Sequence, residues 1–204
     1  MLKKIFKENP IFVLALGLCS ALAVTDNFEK AYLMGICVTF VLVFSNLIVS
    51  LIRKIVPESV KIPVYIIIIG TFVTILSLLL NKFAPNIYNS LGIYLSLITV
   101  NCLVLGRALS FASKNTALKS MLDGLGMGVG YSLALMLIAF IREILGSNSL
   151  TLINELSTLT NSKLIIQNIL PISISIFKTP AGAFFTFGTI LAIINVIRRK
   201  NESN

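Results

Sequence analysis

Charge is scarce in this sequence. Asp, Glu, Lys and Arg make up only 12% of its residues, and they gather in short clusters between long apolar runs. The hydrophobic fraction is 56% with a mean hydropathy of +0.95, beyond the roughly 45–50% of an ordinary soluble domain. That balance excludes a soluble globule and points to an integral membrane protein. No carboxylate lies near the middle of an apolar run, so an acidic cation site of the kind many transporters use is not visible. Cysteine is scarce as well: three, all inside apolar segments, which is poor material for a disulfide framework. No small-x-small cleavage site follows the first apolar run, so the first helix is expected to stay in the mature protein. Basic stripes with interleaved aromatics are also missing. The net charge of +9 therefore reads as a topology signal rather than a nucleic-acid footprint. No loop is long enough for a separate soluble domain, so a nucleotide or soluble electron carrier must be handled by another chain.

What is present is a series of apolar segments. A bilayer core of about 30 Å needs about 20 helical residues. Six segments compete for that role: Ile11 to Thr25, Ala31 to Ile52, Ile62 to Leu80, Leu91 to Gly106, Gly124 to Leu145, and Ala183 to Ile197. The first and fourth are short. Most of the cations fall in the amino-terminal tail (Lys3, Lys4, Lys7), the second loop (Arg53, Lys54, Lys61), the fourth loop (Arg107, Lys114, Lys119) and the carboxyl tail (Arg198, Arg199, Lys200). Only Lys30, Lys82, Lys163 and Lys178 occupy the other connections. By the positive-inside rule both termini are cytoplasmic, as an even number of spans requires. From Gly146 to Gly182 a Ser/Thr/Asn-rich stretch precedes a run broken by Pro171 and Pro180, read as an outer-face loop with an interfacial piece.

The two halves can be laid over each other. Each opens on a short Cys-bearing segment, Leu16 to Val24 and Val100 to Gly106. Each has a long helix ending in a related signature, Ile52-Arg53-Lys54-Ile55 and Ile141-Arg142-Glu143-Ile144. Three spans per half make the copies run in opposite directions. The expected fold is thus an all-α integral membrane protein, one membrane domain over 1–204, with six transmembrane helices in two inverted three-helix repeats (about 9–82 and 90–198). Short or interrupted helices in matching positions of inverted repeats place a site near the bilayer midplane, and Cys19 and Cys102 occupy those positions.

A free membrane cysteine is most often a small packing residue, and Cys37, inside a full-length span, is read that way. For Cys19 and Cys102 a midplane thiol pair leaves a disulfide, a metal site or a redox relay open. A 2Fe-2S cluster needs four ligands, so one chain would supply half. The run Asp123 to Gly130 resembles a phosphate loop only superficially, since it leads straight into a span. Glycines every fourth residue permit close helix packing, and Asp123 is expected to cap the helix amino terminus. Arg142 and Glu143, near the outer end of the fifth span, are expected to snorkel to the interface. Ser45, Asn46, Asn101 and Asn195 are candidates for a polar path or for helix-to-helix hydrogen bonds.

The combination of Gly17 to Thr25, Ser45-Asn46 with Ser50 to Lys54, Ile98 to Ala108, Phe111 to Asn115, Asp123 to Gly128 and Ile141 to Gly146 resembles the RnfE/NqrD family. These are membrane subunits of the Rnf electron-transport complex and of the sodium-pumping NADH:quinone oxidoreductase. The Ile62-Pro63 start of span three, Asn115 and Met127 favour the Rnf branch. The resemblance implies a six-helix inverted-repeat subunit paired with a homologous RnfA-like subunit of opposite topology, each giving two cysteines to an intramembrane 2Fe-2S cluster. By motif those are Cys19 and Cys102. It further implies a bacterial plasma-membrane complex with sister subunits of the B, C, D and G kinds. That complex moves electrons between ferredoxin and NAD and couples this to Na+ or H+ translocation, with flavins only in sister subunits. The family usually has an acid after Gly-Arg-Ala, where this chain has Leu109. The NqrD role in the quinone oxidoreductase and a secondary transporter with a midplane site remain the alternatives.

Overall fold

The computed structural model describes Ile11 and residues 16–147, 149–153, 164–167 and 179–202. A short helix α1 (Leu18–Val24) is followed by the long helix α2 (Phe28–Ile52) and, after a 3-10 turn (Glu58–Val60), by α3 (Lys61–Phe83). The second half contains α4 (Pro85–Thr99), α5 (Cys102–Arg107) continued by a π segment (Ala108–Ala112), α6 (Ala117–Ser147), and α7 (Pro180–Glu202). Two short antiparallel strands, β1 (Ser149–Ile153) and β2 (Leu164–Gln167), pair Ser149 with Gln167 and Leu150 with Ile166, with an irregularity between Thr151 and Ile153. They fall in the connection expected to be an outer-face loop; its remaining residues, 154–163 and 168–178, lie outside the described ones.

Among the described residues four helical stretches are long and apolar enough to cross a membrane: Phe28–Ile52, Glu58–Phe83, Pro85–Ala112 and Ala117–Gly146. Pro180–Val196 is a shorter apolar helix. Part of the expected first span, residues 12–15, is not among those described. The protein is a helical, multi-pass membrane protein.

Local chemistry explains the breaks. Only Ala84 separates α3 from α4: its N–H donates to the Leu80 carbonyl at 2.8 Å, and Pro85 opens the next helix, where a residue without an N–H costs nothing. The fourth expected span is interrupted at Val100-Asn101. The Asn101 backbone is extended, and its side-chain oxygen accepts from Leu103 N at 2.9 Å, restarting the helix as α5. In the π segment Ser113 N reaches back five residues to Ala108 O at 3.0 Å, the wider turn that marks a π-bulge.

The core lies where α2 crosses α6, and small residues set that distance. A Cβ on Gly35 would stand 2.5 Å from Ser132 Oγ, and one on Gly128 2.6 Å from Thr39 Oγ1. One on Gly124 would stand 3.2 Å from Asn46 Nδ2. Lipid is as apolar as Leu, so membrane helices associate through this kind of close backbone packing and not through hydrophobic burial. Gly126, on another face of α6, meets nothing within 4 Å. The outer surface is apolar, with Ile67, Leu78, Phe83, Ile93 and Val196 all exposed.

Two expectations need correction. Asp123 is not a helix cap: α6 begins at Ala117, placing Asp123 inside the helix, where both its carboxylate oxygens receive bonds from the Arg107 guanidinium. Nor do Arg142 and Glu143 snorkel. Their exposures are 2% and 1%. Arg142 donates to Leu22 O at 3.3 Å, to Thr25 Oγ1, and to Thr179 O at 3.2 Å. Glu143 Oε2 accepts from Phe28 N at 2.7 Å. The cation thus meets carbonyl and hydroxyl oxygens at the end of α1, and the anion meets a free N–H at the start of α2. Each sign suits the helix end it faces, and a chain turn inside an apolar environment obtains partners that lipid cannot supply.

Candidate functional site

Two interrupted helices meet at the site. Gly17, immediately before α1, has φ 79°, a left-handed conformation that costs a residue with a Cβ roughly 1–2 kcal/mol. Space demands glycine too, since a Cβ there would stand 2.8 Å from the Tyr131 ring and 3.3 Å from Asn101 Oδ1. The turn aims the Gly17 N–H at Cys102, whose Sγ accepts it at 2.8 Å. Cys19 follows two residues later on α1. The structure therefore brings together the two cysteine-bearing segments singled out by sequence, one from each half of the chain, through Gly17 and Cys102.

Both thiols are free and exposed, whereas Cys37 is buried among the apolar residues packed around α2, consistent with a packing role. Beside the Cys-bearing segments stands a polar cluster in which Ser20, Asn101 and Tyr131 are all fully buried. Asn101 Nδ2 donates to Ser20 Oγ at 2.9 Å, and Ser20 Oγ lies 2.7 Å from Tyr131 OH. The Gly17 carbonyl is within reach of Ser20 Oγ at 3.1 Å and of Tyr131 OH at 3.4 Å. Asn101 thus uses its oxygen to cap the helix carrying Cys102 and its nitrogen to hold the helix carrying Cys19.

Of the other polar candidates, Asn46 is fully buried and neither of its side-chain polar atoms has a hydrogen-bond partner among the described residues, nor has the buried Tyr65 hydroxyl. Ser45 donates to Leu42 O at 3.3 Å, and Asn195 lies on the exposed face of α7. Leu109 packs against the cluster of Val49, Tyr65, Ala108 and Ala112. Sequence reasoning missed Tyr131. Its signal was available, because a tyrosine in the middle of a membrane helix carries a hydroxyl that must find a buried partner.

A pair of outward-facing thiols can hold half of a four-ligand metal centre. Among the described residues no cluster of three or more His, Cys, Asp or Glu forms a metal site within the chain. The donor set fits a 2Fe-2S cluster whose remaining ligands come from outside: soft sulfur ligands, exposed on the surface of an otherwise apolar membrane body, with a backbone N–H already directed at one of them.

The chain is 44% identical over 200 residues to the E subunit of the proton-translocating ferredoxin:NAD(+) oxidoreductase complex of Clostridium ljungdahlii, covering 98% of this chain and 89% of that protein. It is 42% identical over 208 residues to the E subunit of the ion-translocating oxidoreductase complex of Methanosarcina acetivorans, covering 99% and 92%. Its identity to the protein of the same description in Glaesserella parasuis is 42% over 200 residues, covering 96% and 86%. The model of the family described as "Rnf-Nqr subunit, membrane protein" matches residues 1–191, so the chain belongs to the Rnf-Nqr family of membrane subunits.

Proposed function

We propose that this chain is a membrane subunit of an ion-translocating ferredoxin:NAD+ oxidoreductase, in which Cys19 and Cys102 supply half the ligands of a 2Fe-2S cluster shared with a homologous, RnfA-like subunit of opposite topology. The observation that carries the reading is the Gly17 N–H to Cys102 Sγ bond, which joins the two cysteine-bearing segments across the halves of the chain. The relatives are named as E subunits of such complexes, which favours the Rnf branch over the quinone oxidoreductase and over a secondary transporter. The chain alone turns nothing over; it works within the complex, alongside subunits of the B, C, D and G kinds that carry flavins and the nucleotide site.

Such a cluster supplies one-electron redox chemistry inside the bilayer. The chain's own residues carry two exposed cysteines on adjoining segments, direct an amide hydrogen at one of them, and back them with a fully buried polar cluster. Two inverted repeats account for the matched interruptions before Leu18 and Cys102, and for the pairing of α2 with α6. The cation distribution supports cytoplasmic termini, in the plasma membrane of a bacterium on this reading.

The test is the complex purified anaerobically with Cys19→Ala or Cys102→Ala in this subunit. Each substitution should abolish the reduced 2Fe-2S electron paramagnetic resonance signal assigned to the membrane part and remove the corresponding iron. A signal and iron content equal to wild type in both variants would sink the reading.

A further inference from the structure

We infer that Tyr131, acting through Ser20 and Asn101, is a positioning residue for the cysteine pair: it fixes Gly17 so that its N–H stays on Cys102 Sγ, and thereby raises the reduction potential of the cluster held there. The inference rests on the half-site reading above and goes beyond it, since it assigns a role to residues that touch neither thiol.

Hydrogen counting shows how the arrangement works. Asn101 Nδ2 can only donate, so Ser20 Oγ accepts from it. The Ser20 hydroxyl hydrogen then goes either to the Gly17 carbonyl or to Tyr131 OH. In the first case Tyr131 donates to Ser20; in the second Tyr131 donates to Gly17 O. Both arrangements give the Gly17 carbonyl one hydroxyl hydrogen beside the Ala21 N–H that it accepts at 3.1 Å, and all three hydroxyl distances, 2.7, 3.1 and 3.4 Å, allow them. Gly17 is thereby tied from its carbonyl side while its N–H donates to Sγ at 2.8 Å. The Ala21 bond holds Gly17 only to its own helix, whereas the hydroxyls tie it across to α6; without them the glycine turn is freer to carry its N–H off the sulfur.

The hydroxyl is not needed for packing. Phenylalanine would fill the same space, and burying a polar hydroxyl where all its neighbours are dry costs about 1–3 kcal/mol unless it is bonded. What the hydroxyl adds is direction. An N–H directed at a ligand sulfur stabilises the extra electron of the reduced cluster, so a well-held donor raises the potential and a loose one lowers it.

The experiment is a redox titration of the purified complex, followed by the 2Fe-2S electron paramagnetic resonance signal, with iron content and subunit stoichiometry measured in parallel. Tyr131→Phe should keep its iron and its place in the complex. At the wild-type midpoint potential the Tyr131→Phe/Ser20→Ala variant, which removes both hydroxyls that reach the Gly17 carbonyl, should show a reduced-to-oxidised ratio about tenfold lower, the worth of one net hydrogen bond. Each single substitution leaves the other hydroxyl to donate to Gly17 O and should shift the same way by less, so the pair should shift more than the sum, and Ser20→Thr should keep the wild-type value. If the double variant fails to enter the complex, the single substitutions decide by the same titration. Midpoints unchanged at full iron content in the variants that assemble overturn the positioning role. A signal that survives loss of both Cys19 and Cys102 overturns the half-site reading instead, so the two failures are separate.

Discussion

Gly17 and Cys102 stand 85 residues apart in sequence and 2.8 Å apart in space, joined by an amide hydrogen on a sulfur. The contact exists because two helices break at matching places. Gly17 turns left-handed before α1 and Asn101 goes extended before α5, so the two breaks meet, each beside a cysteine in sequence.

Gly17→Ala should damage the site more than a typical surface change. The left-handed backbone alone costs about 1–2 kcal/mol, and the new Cβ would press on the Tyr131 ring at 2.8 Å. A lowered thermal midpoint of the detergent-solubilised complex, together with loss of bound iron, is expected. Unchanged melting and iron would show that this turn is not under the constraint described.

Arg142→Lys should fail to replace arginine. The guanidinium serves Leu22 O and Thr25 Oγ1 through Nη1 and Thr179 O through Nη2, and one ammonium cannot reproduce that fork. Glu143→Gln should cost about 1 kcal/mol, the difference between a hydrogen bond to a charged acceptor and one to a neutral acceptor, by weakening the bond from Phe28 N. The yield of correctly assembled complex by size-exclusion chromatography reports both, with Arg142→Lys expected well below wild type.

Gly128→Ala and Gly126→Ala form a matched pair two residues apart on one helix. The first puts a methyl group 2.6 Å from Thr39 Oγ1 and should destabilise by about 1–3 kcal/mol; the second meets open space and should be neutral, or stabilising by up to about 1 kcal/mol. Adding Thr39→Ala should recover part of the Gly128→Ala loss. Thermal melting of wild type, Gly128→Ala, Thr39→Ala and the double variant gives the coupling, and equal melting of Gly128→Ala and Gly126→Ala would remove the α2–α6 contact from consideration.

Asp123→Ala should be worse than Asp123→Ala combined with Arg107→Leu. The pair is mostly buried, with side-chain exposures of 9% and 14%, and removing one partner strands the other charge at a cost of about 3–5 kcal/mol, whereas removing both does not. Expression level and melting point of the single and double variants check the order.

Several features were legible in the sequence because they depend only on composition and spacing. Apolar length fixes which segments can lie in a bilayer, since backbone groups there must bond within the segment, and the long helices over Ala31 to Ile52 and Ile62 to Leu80 reappear extended by a few residues as α2 and α3. Glycines four apart announced the α2–α6 crossing at Gly124 and Gly128. The shortness of the Cys19 and Cys102 segments marked them as interrupted.

Only the tertiary structure decided which partner each polar side chain meets. Asp123 read as a cap because hydropathy rises at Gly124, but Arg107, sixteen residues earlier, let the helix begin before it. Arg142 and Glu143 read as snorkelling because they sit near a span's end; the neighbouring α1–α2 turn instead offered free carbonyls and an N–H. Tyr131 could be seen to need a partner, yet Ser20, 111 residues away, became visible as that partner only in three dimensions. In an apolar medium the sequence determines where polar groups are rare. Folding determines how each is satisfied, because the free energy of a buried polar atom depends on the neighbour within about 3 Å of it and not on its place in the chain.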